Sequence, residues 1–169
     1  MKILITFFII FFYSSIKANS INVIRDAEIE NLLKDIGKIL VRGTQLENDD
    51  LTFYLDNQKF INALVTPDKK FFFTTELLLK SKNVEDVAGV ISHEIGHVIG
   101  GHFQKRQKKM EKNSIINVLS SILAVGAIAG GAYNAGTAIL MGGQHLGTSR
   151  MLSFSRSQES LADQTAIRL

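Results

Sequence analysis

Two histidines of this chain have the spacing that two ligands of one metal ion need on a helix. His93 and His97 are four residues apart, and Glu94 directly follows the first of them. On an α-helix such residues lie on one face, one turn apart, so both imidazoles can reach the same ion. Glu94 would stand beside that ion, where a carboxylate can act as general base toward water. The pattern H-E-x-x-H therefore predicts a zinc site with hydrolytic chemistry.

The residues around this pattern favour a helix that is buried on nearly all sides. Asn83 precedes Val84, Glu85 and Asp86, which is typical of an N-cap followed by an acidic first turn, so we expect the helix to begin near Val84. Its apolar residues are Val87, Ala88, Val90, Ile91, Ile95, Val98 and Ile99. Because buried polar groups need partners, this setting disfavours two plain surface histidines beside a solvated glutamate.

A catalytic zinc site needs a third protein ligand and an open fourth position. A histidine ten residues after the first would supply it, but that position is Phe103, and His102 is one residue short. We expect His102 to be a surface residue or one that supports a ligand. The other scheme uses Glu159 from a later helix, with Asp163 one turn beyond it. Glu159 could then bind the ion while Asp163 accepts the far N–H of a ligand histidine.

The composition limits the remaining chemistry. The chain has 169 residues and no cysteine, which excludes disulfides, thiolate zinc ligands and a cysteine nucleophile. Hydrophobic residues make up 46% and charged residues 21%, as in one globular domain. A formal net charge of +3 is too small to indicate nucleic-acid binding, so we expect no nucleic-acid partner.

The amino terminus has the order of a secretory signal peptide. Lys2 is followed by an apolar run, Ile3 to Tyr13, and then by short polar and small residues up to Ala18. Eleven residues, apolar except for Thr6, are too few for a helix to cross about 30 Å of hydrocarbon, which disfavours an anchor. We expect residues 1–18 to be a signal peptide and 19–169 to form a single domain.

Periodicity predicts the elements ahead of the histidine motif. Apolar residues recur at three- and four-residue steps from Ile21 to Val41, which indicates an amphipathic helix. Three β-prone runs follow, at Leu51–Leu55, Phe60–Val65 and Phe71–Thr75. Pro67 lies in the loop between the last two, so we expect a β-hairpin there, within a small antiparallel sheet.

A long apolar segment separates the two candidate ligand motifs. No charged residue occurs between Lys112 and Arg150, and residues 115–141 as a helix would be long enough to cross a bilayer. One crossing, however, would place the two histidines and Glu159 on opposite sides of the membrane. We therefore expect an apolar, glycine-rich hairpin at 113–149 that packs on the domain or dips into a membrane surface.

Basic residues lie directly before this apolar segment. They are Lys105, Arg106, Lys108, Lys109 and Lys112. They could contact anionic lipid headgroups, which would give a membrane-surface contact through residues 105–149, or they could form the solvated end of a helix. His145 is expected to be a loop histidine, with a mobile extra metal ligand as the alternative.

Together the motifs resemble the membrane-associated zinc endopeptidases that include the HtpX-like and BepA-like bacterial proteases and the CAAX-prenyl endopeptidases. The matching segments are Ile24–Glu30, Asn62–Ala63, Val90–Val98 and Ser155–Asp163, in family order. The chain is most similar to the periplasmic, BepA-like branch. The resemblance implies an α+β fold: a mainly helical, gluzincin-type zinc metallopeptidase domain with a small antiparallel sheet and an H-E-x-x-H active-site helix.

The resemblance also implies a role for each motif residue. One zinc ion per chain would be bound by His93, His97 and Glu159. Glu94 would be the general base, and Asp163 would hold a ligand histidine. Asn62 and Ala63 would lie in the edge strand against which a peptide substrate pairs, although Asn62 could also be a plain strand-end turn residue.

The implied function is zinc-dependent cleavage of peptide bonds in envelope or misfolded proteins of the periplasm, with peripheral association at the membrane surface as an open option. Family members continue beyond the position of Leu169, so a catalytic domain truncated at its carboxyl end is expected. The alternative is an inactive or truncated member that keeps zinc and acts as a protein-binding or chaperone-like module. Glu94 favours the enzyme, because a structural zinc site does not need a general base. A membrane-spanning protein with coincidental motifs is a third interpretation.

Overall fold

A computed structural model describes residues 21–169, so the expected signal peptide at 1–18 lies outside the described residues. The elements in chain order are β1 (Val23–Ile24), α1 (Ala27–Leu40), β2 (Thr52–Asp56), β3 (Ala63–Val65), β4 (Lys70–Thr74), α2 (Thr75–Lys80), α3 (Val84–Ile99), α4 (His102–Ala129) and α5 (Tyr133–Ala166). A mainly helical domain with one small sheet agrees with the predicted α+β class.

The sheet has the strand order β1-β2-β4-β3 and is mixed. The predicted hairpin is confirmed, because β3 and β4 pair antiparallel around the loop that contains Pro67. The prediction of an antiparallel sheet is wrong, because β2 and β4 are parallel neighbours. Strands β2 and β4 are internal, Phe71 and Phe73 of β4 are completely buried, and β3 lies at an edge.

The first predicted helix is shorter than its apolar periodicity suggested. Residues 23–24 pair with β2 as a strand, and α1 begins only at Ala27. The side chain of Asp26 caps it by accepting hydrogen bonds from the backbone N–H groups of Glu28 and Ile29. The apolar periodicity did not reveal that the helix begins only at Ala27, because the two residues of β1 are apolar too. Helix α1 packs on the sheet, where Gly37 lies against the ring of Phe53 in β2.

Helix α3 carries the histidine motif and begins where the sequence predicted. The Asn83 side chain accepts a hydrogen bond from the Asp86 backbone N–H at 2.9 Å, and Val84 is the first helical residue. On the core side of the helix, Ile91 and Ile95 are fully buried. This packing places α3 beside the sheet.

Helices α4 and α5 form an antiparallel pair in the apolar segment. The chain turns at Gly130 and Gly131, and Gly131 has a φ of +86°, which favours glycine. Gly136 packs on Ile128, and Gly143 packs on Ser120 further from the turn. Among the described helices, α4 is the one long and apolar enough to cross a membrane, by length and composition alone, and little of its apolar window is buried. Helix α5 returns the chain to α3.

Candidate metal centre

The candidate centre forms where α3 crosses α5. At the crossing, Gly96 and Ala162 are in backbone contact: a Cβ atom on Gly96 would lie 2.7 Å from the Ala162 carbonyl oxygen and 2.9 Å from its Cα. Ala162 itself is fully buried. Because the helix axes come this close, residues on either side of Gly96 meet residues on either side of Ala162. The crossing therefore brings two motifs some sixty residues apart into one place.

Three side chains converge at this crossing. His93 Nε2 lies 3.1 Å from His97 Nε2, and Glu159 Oε2 lies 3.4 Å from the first nitrogen and 3.6 Å from the second. Tetrahedral zinc with bonds of about 2.0 to 2.1 Å spaces its ligand atoms about 3.3 Å apart. The three donor atoms thus stand at the separations that one zinc ion requires. Nitrogen, nitrogen and carboxylate oxygen are also ligands that zinc accepts.

The group is open on one side. The Glu159 side chain is 54% exposed, whereas the side chains of His93 and His97 are 27% and 16% exposed. Within residues 21–169, these three form the one group of histidines and carboxylates found to converge like metal ligands. An ion held there would keep a face toward solvent, which a catalytic site needs for water and substrate.

Each candidate ligand histidine has a partner for its other ring nitrogen. His93 Nδ1 lies 2.8 Å from Asp163 Oδ1, the arrangement expected for a carboxylate that orients a ligand histidine. His97 Nδ1 lies 2.9 Å from His102 Nδ1. The side chain of His102 is buried, so the expectation of a surface residue is wrong, and the alternative of a residue beside a ligand agrees with its position.

Burial perturbs the titration of the groups around the crossing. It is the main reason that the pKa of the Glu94 carboxyl is raised, and the negative charge of Glu159 adds to the effect. The charge of His93 and a backbone hydrogen bond from Val65 in β3 oppose it. Burial likewise lowers the pKa of His97, which favours the neutral imidazole that a metal ligand must be.

The sequence model of peptidase family M48 matches residues 27–169. The chain belongs to peptidase family M48. It is 27% identical over 149 residues to the beta-barrel assembly-enhancing protease of Escherichia coli O157:H7, covering 86% of this chain and 30% of that protein.

Two further relatives of this M48 chain carry the same kind of name. The beta-barrel assembly-enhancing protease of Yersinia pestis is 27% identical over 161 residues, covering 94% of this chain and 32% of the relative. A putative protein of that name from Vibrio cholerae serotype O1 is 26% identical and covers 92% and 32%. The chain thus spans about a third of the length of these relatives.

Two other predicted residues of the M48 chain lie at the sheet edge, outside the group of three candidate ligands. Ala63 begins β3, and Asn62 directly precedes it. The Asn62 backbone N–H donates to Thr74 Oγ1 at 3.0 Å, and its carbonyl accepts from the Thr74 backbone N–H at 3.1 Å. Since hydrogen-bonding direction alternates along an antiparallel strand, the N–H and C=O of Ala63 point away from β4, toward the open edge.

Sequence reasoning misplaced one histidine of the M48 chain and left the partner of another unidentified. His145 is an exposed residue within α5, so the expectation of a loop position is wrong, and it does not join the ligand group. The contact between His102 and His97 was not assigned. Gly100 and Gly101 were the available signal, because a glycine pair ends a helix and lets the next residue fold back onto it.

Proposed function

We propose that this M48 chain is a zinc-dependent metalloendopeptidase that hydrolyses peptide bonds in proteins. The observation that carries the proposal is the convergence of His93 Nε2, His97 Nε2 and Glu159 Oε2 within 3.1 to 3.6 Å of one another. Glu94 follows the first of these ligands on the same helix. Two histidines and a glutamate form the ligand set of a gluzincin-type site, and each chain would bind one Zn²⁺.

Metal and protein have separate tasks in the proposed reaction. When bound, zinc supplies a Lewis acid that acidifies water and polarises a carbonyl oxygen. The carboxylate of Glu94 accepts the proton that water loses as it attacks the scissile carbonyl, and it then gives this proton to the leaving amine. The raised pKa of Glu94 suits a group that must both accept and return a proton.

Asp163 and the edge strand would position the reactants. Asp163 accepts the His93 Nδ1–H and so keeps Nε2 of that ring free to bind the ion. A substrate peptide would pair with β3 as an added strand and bond to the outward N–H and C=O of Ala63, next to Asn62. Val65, which bonds to Glu94 through its backbone, belongs to the same strand. A peptide on this edge would therefore pass close to the general base.

We further propose that the enzyme works in the periplasm, on envelope or misfolded proteins. The signal-peptide pattern of residues 1–18 supports export. The M48 relatives from three bacteria are named as proteases that enhance β-barrel assembly, which supports a substrate among envelope proteins.

The antiparallel pair of α4 and α5 supports a further contact, with the membrane surface. Large apolar side chains on its distal part are exposed: Ile115, Val118, Leu119, Ile122, Leu123, Val125 and Met141. Basic residues from Lys105 to Lys112 lie nearer the metal centre on the same helix. The chain turns at Gly130 and Gly131 and α5 runs back to α3, so both ends of the pair lie on the same side. The pair would thus enter a bilayer without crossing it.

Zinc content and proteolysis together test the enzymatic proposal. Purified wild-type protein should contain one zinc ion per chain and cleave unfolded casein, and a chelator should stop cleavage until zinc is restored. Zinc binding without cleavage would support instead an inactive, zinc-containing protein-binding or chaperone-like module. Absence of bound zinc would contradict both functions.

A further inference from the structure

His102 is buried beside His97 and takes no part in the proposed reaction. It is the first residue of α4, is only 4% exposed, and meets the ring of His97 edge to face, with centroids 4.9 Å apart. Gly101 has a φ of +59°, which turns the chain sharply between α3 and α4. A Cβ atom on Gly100 would collide with His102 Nε2. The two glycines thus let the His102 ring fold back onto the metal-binding helix.

The contact between the two rings determines where their protons lie. When Nε2 of His97 binds the ion together with the other two donor atoms, the proton of this neutral ring lies on Nδ1. That N–H points at His102 Nδ1, 2.9 Å away, which must therefore accept. His102 then carries its own proton on Nε2, and in the described part of the chain this buried nitrogen has no hydrogen-bond partner.

A buried N–H without a partner costs stability, so its presence calls for an explanation. The opposite tautomer of His102 would not remove the cost, since it would set two Nδ1–H donors against each other. In return for this cost, the observed arrangement gives the Nδ1–H of His97 a hydrogen-bond acceptor, Nδ1 of His102.

We propose that His102 is a positioning residue for the metal site: its Nδ1 accepts the His97 Nδ1–H and thereby holds His97 Nε2 toward zinc. This inference rests on the proposed zinc function. The two ligand histidines are then held by different groups, His93 by the carboxylate of Asp163 and His97 by a neutral imidazole.

Two substitutions of similar size separate hydrogen bonding from packing. In His102→Asn, the side-chain oxygen can take the place of Nδ1 as acceptor, whereas His102→Leu fills the space without an acceptor. Zinc affinity measured by competition with a chromophoric chelator should fall about 10- to 100-fold in His102→Leu and much less in His102→Asn. His145→Leu, at an exposed position of α5, is the control and should keep wild-type affinity.

Nitrogen-15 NMR of the zinc-loaded wild-type protein reads the tautomers directly and needs no variant to fold. Two-bond couplings should show a proton on Nδ1 of His97 and a proton on Nε2 of His102. A proton on Nδ1 of His102, or equal affinities of the leucine and asparagine variants, would overturn the positioning role. If wild-type protein binds no zinc at all, it is the proposed function that fails. The two failures are therefore distinguishable.

Discussion

Gly96 and Ala162 touch through their backbones, and this contact fixes how near Glu159 comes to the two histidines. Gly96 lies between Glu94 and His97 on α3, and a Cβ atom at this position would be 2.7 Å from the Ala162 carbonyl oxygen. The obstacle is backbone, which cannot rotate aside as a flexible side chain can. The distances between the three candidate ligand atoms therefore suit zinc only because Gly96 has no Cβ atom to keep the two helices apart.

The substitution Gly96→Ala should therefore push α5 away from α3. We expect a loss of about 1 to 3 kcal/mol in the free energy of unfolding, together with weaker zinc binding. Gly89→Ala is the matched control on the same helix, because nothing lies within 4 Å of its Cβ position. It should leave zinc affinity unchanged and stabilise the protein by up to about 1 kcal/mol through helix propensity. Chemical denaturation and chelator competition measure both effects, and equal behaviour of the two variants would contradict the role of the crossing.

Removal of the proposed general base should separate catalysis from metal binding. Glu94→Gln keeps the size of the side chain but cannot take a proton, so we expect kcat to fall about 100- to 10,000-fold with one zinc still bound. Glu85→Gln, on an exposed first-turn position of α3, should retain activity. Fluorogenic peptide hydrolysis and zinc analysis on the same samples provide the readout. Undiminished cleavage by zinc-loaded Glu94→Gln protein would remove Glu94 from this role.

If a substrate peptide pairs with the open edge of β3, a substitution at this edge should weaken substrate binding. Because the Ala63 N–H points away from β4, proline at this position should remove a bond to the substrate while leaving the sheet ladder intact. We expect Ala63→Pro to raise KM several-fold with a small change in melting temperature. Leu64 faces β4 in the pairing with Phe72, so Leu64→Pro should instead lower the melting temperature strongly. An unchanged KM in a folded Ala63→Pro protein would argue against peptide pairing at this edge.

Local signals in the sequence predicted the local features of this fold. Asn83 marked the start of α3, and Pro67 marked the β3–β4 hairpin, since caps and turns depend on neighbouring residues. The parallel pairing of β2 with β4 could not be predicted in this way, because it depends on which strand is buried most deeply. Helix α2 was missed because Thr75 continues a β-prone run.

Spacing likewise predicted part of the candidate metal centre. The positions of His93 and His97 follow from helix geometry alone, and so does the shared face of Glu159 and Asp163. That both faces meet depends on the contact between α3 and α5, which no local pattern encodes. The packing of His102 on His97 depends on the backbone turn at Gly101 and became visible only in three dimensions.

The exposed apolar pair of α4 and α5 leads to a prediction about membranes. Wild-type protein should float with vesicles that contain phosphatidylglycerol and less with neutral phosphatidylcholine vesicles, since each basic residue near an anionic surface contributes about 1 kcal/mol. Replacing Leu119 and Leu123 together by aspartate should abolish flotation, because both side chains are exposed on the apolar part of α4. Leu32→Asp places the same charge at an exposed apolar position of α1, outside the helix pair, and should leave flotation intact. Flotation that is insensitive to the α4 substitutions would show that the pair does not enter the bilayer, whereas its loss would place the metal centre near the membrane surface.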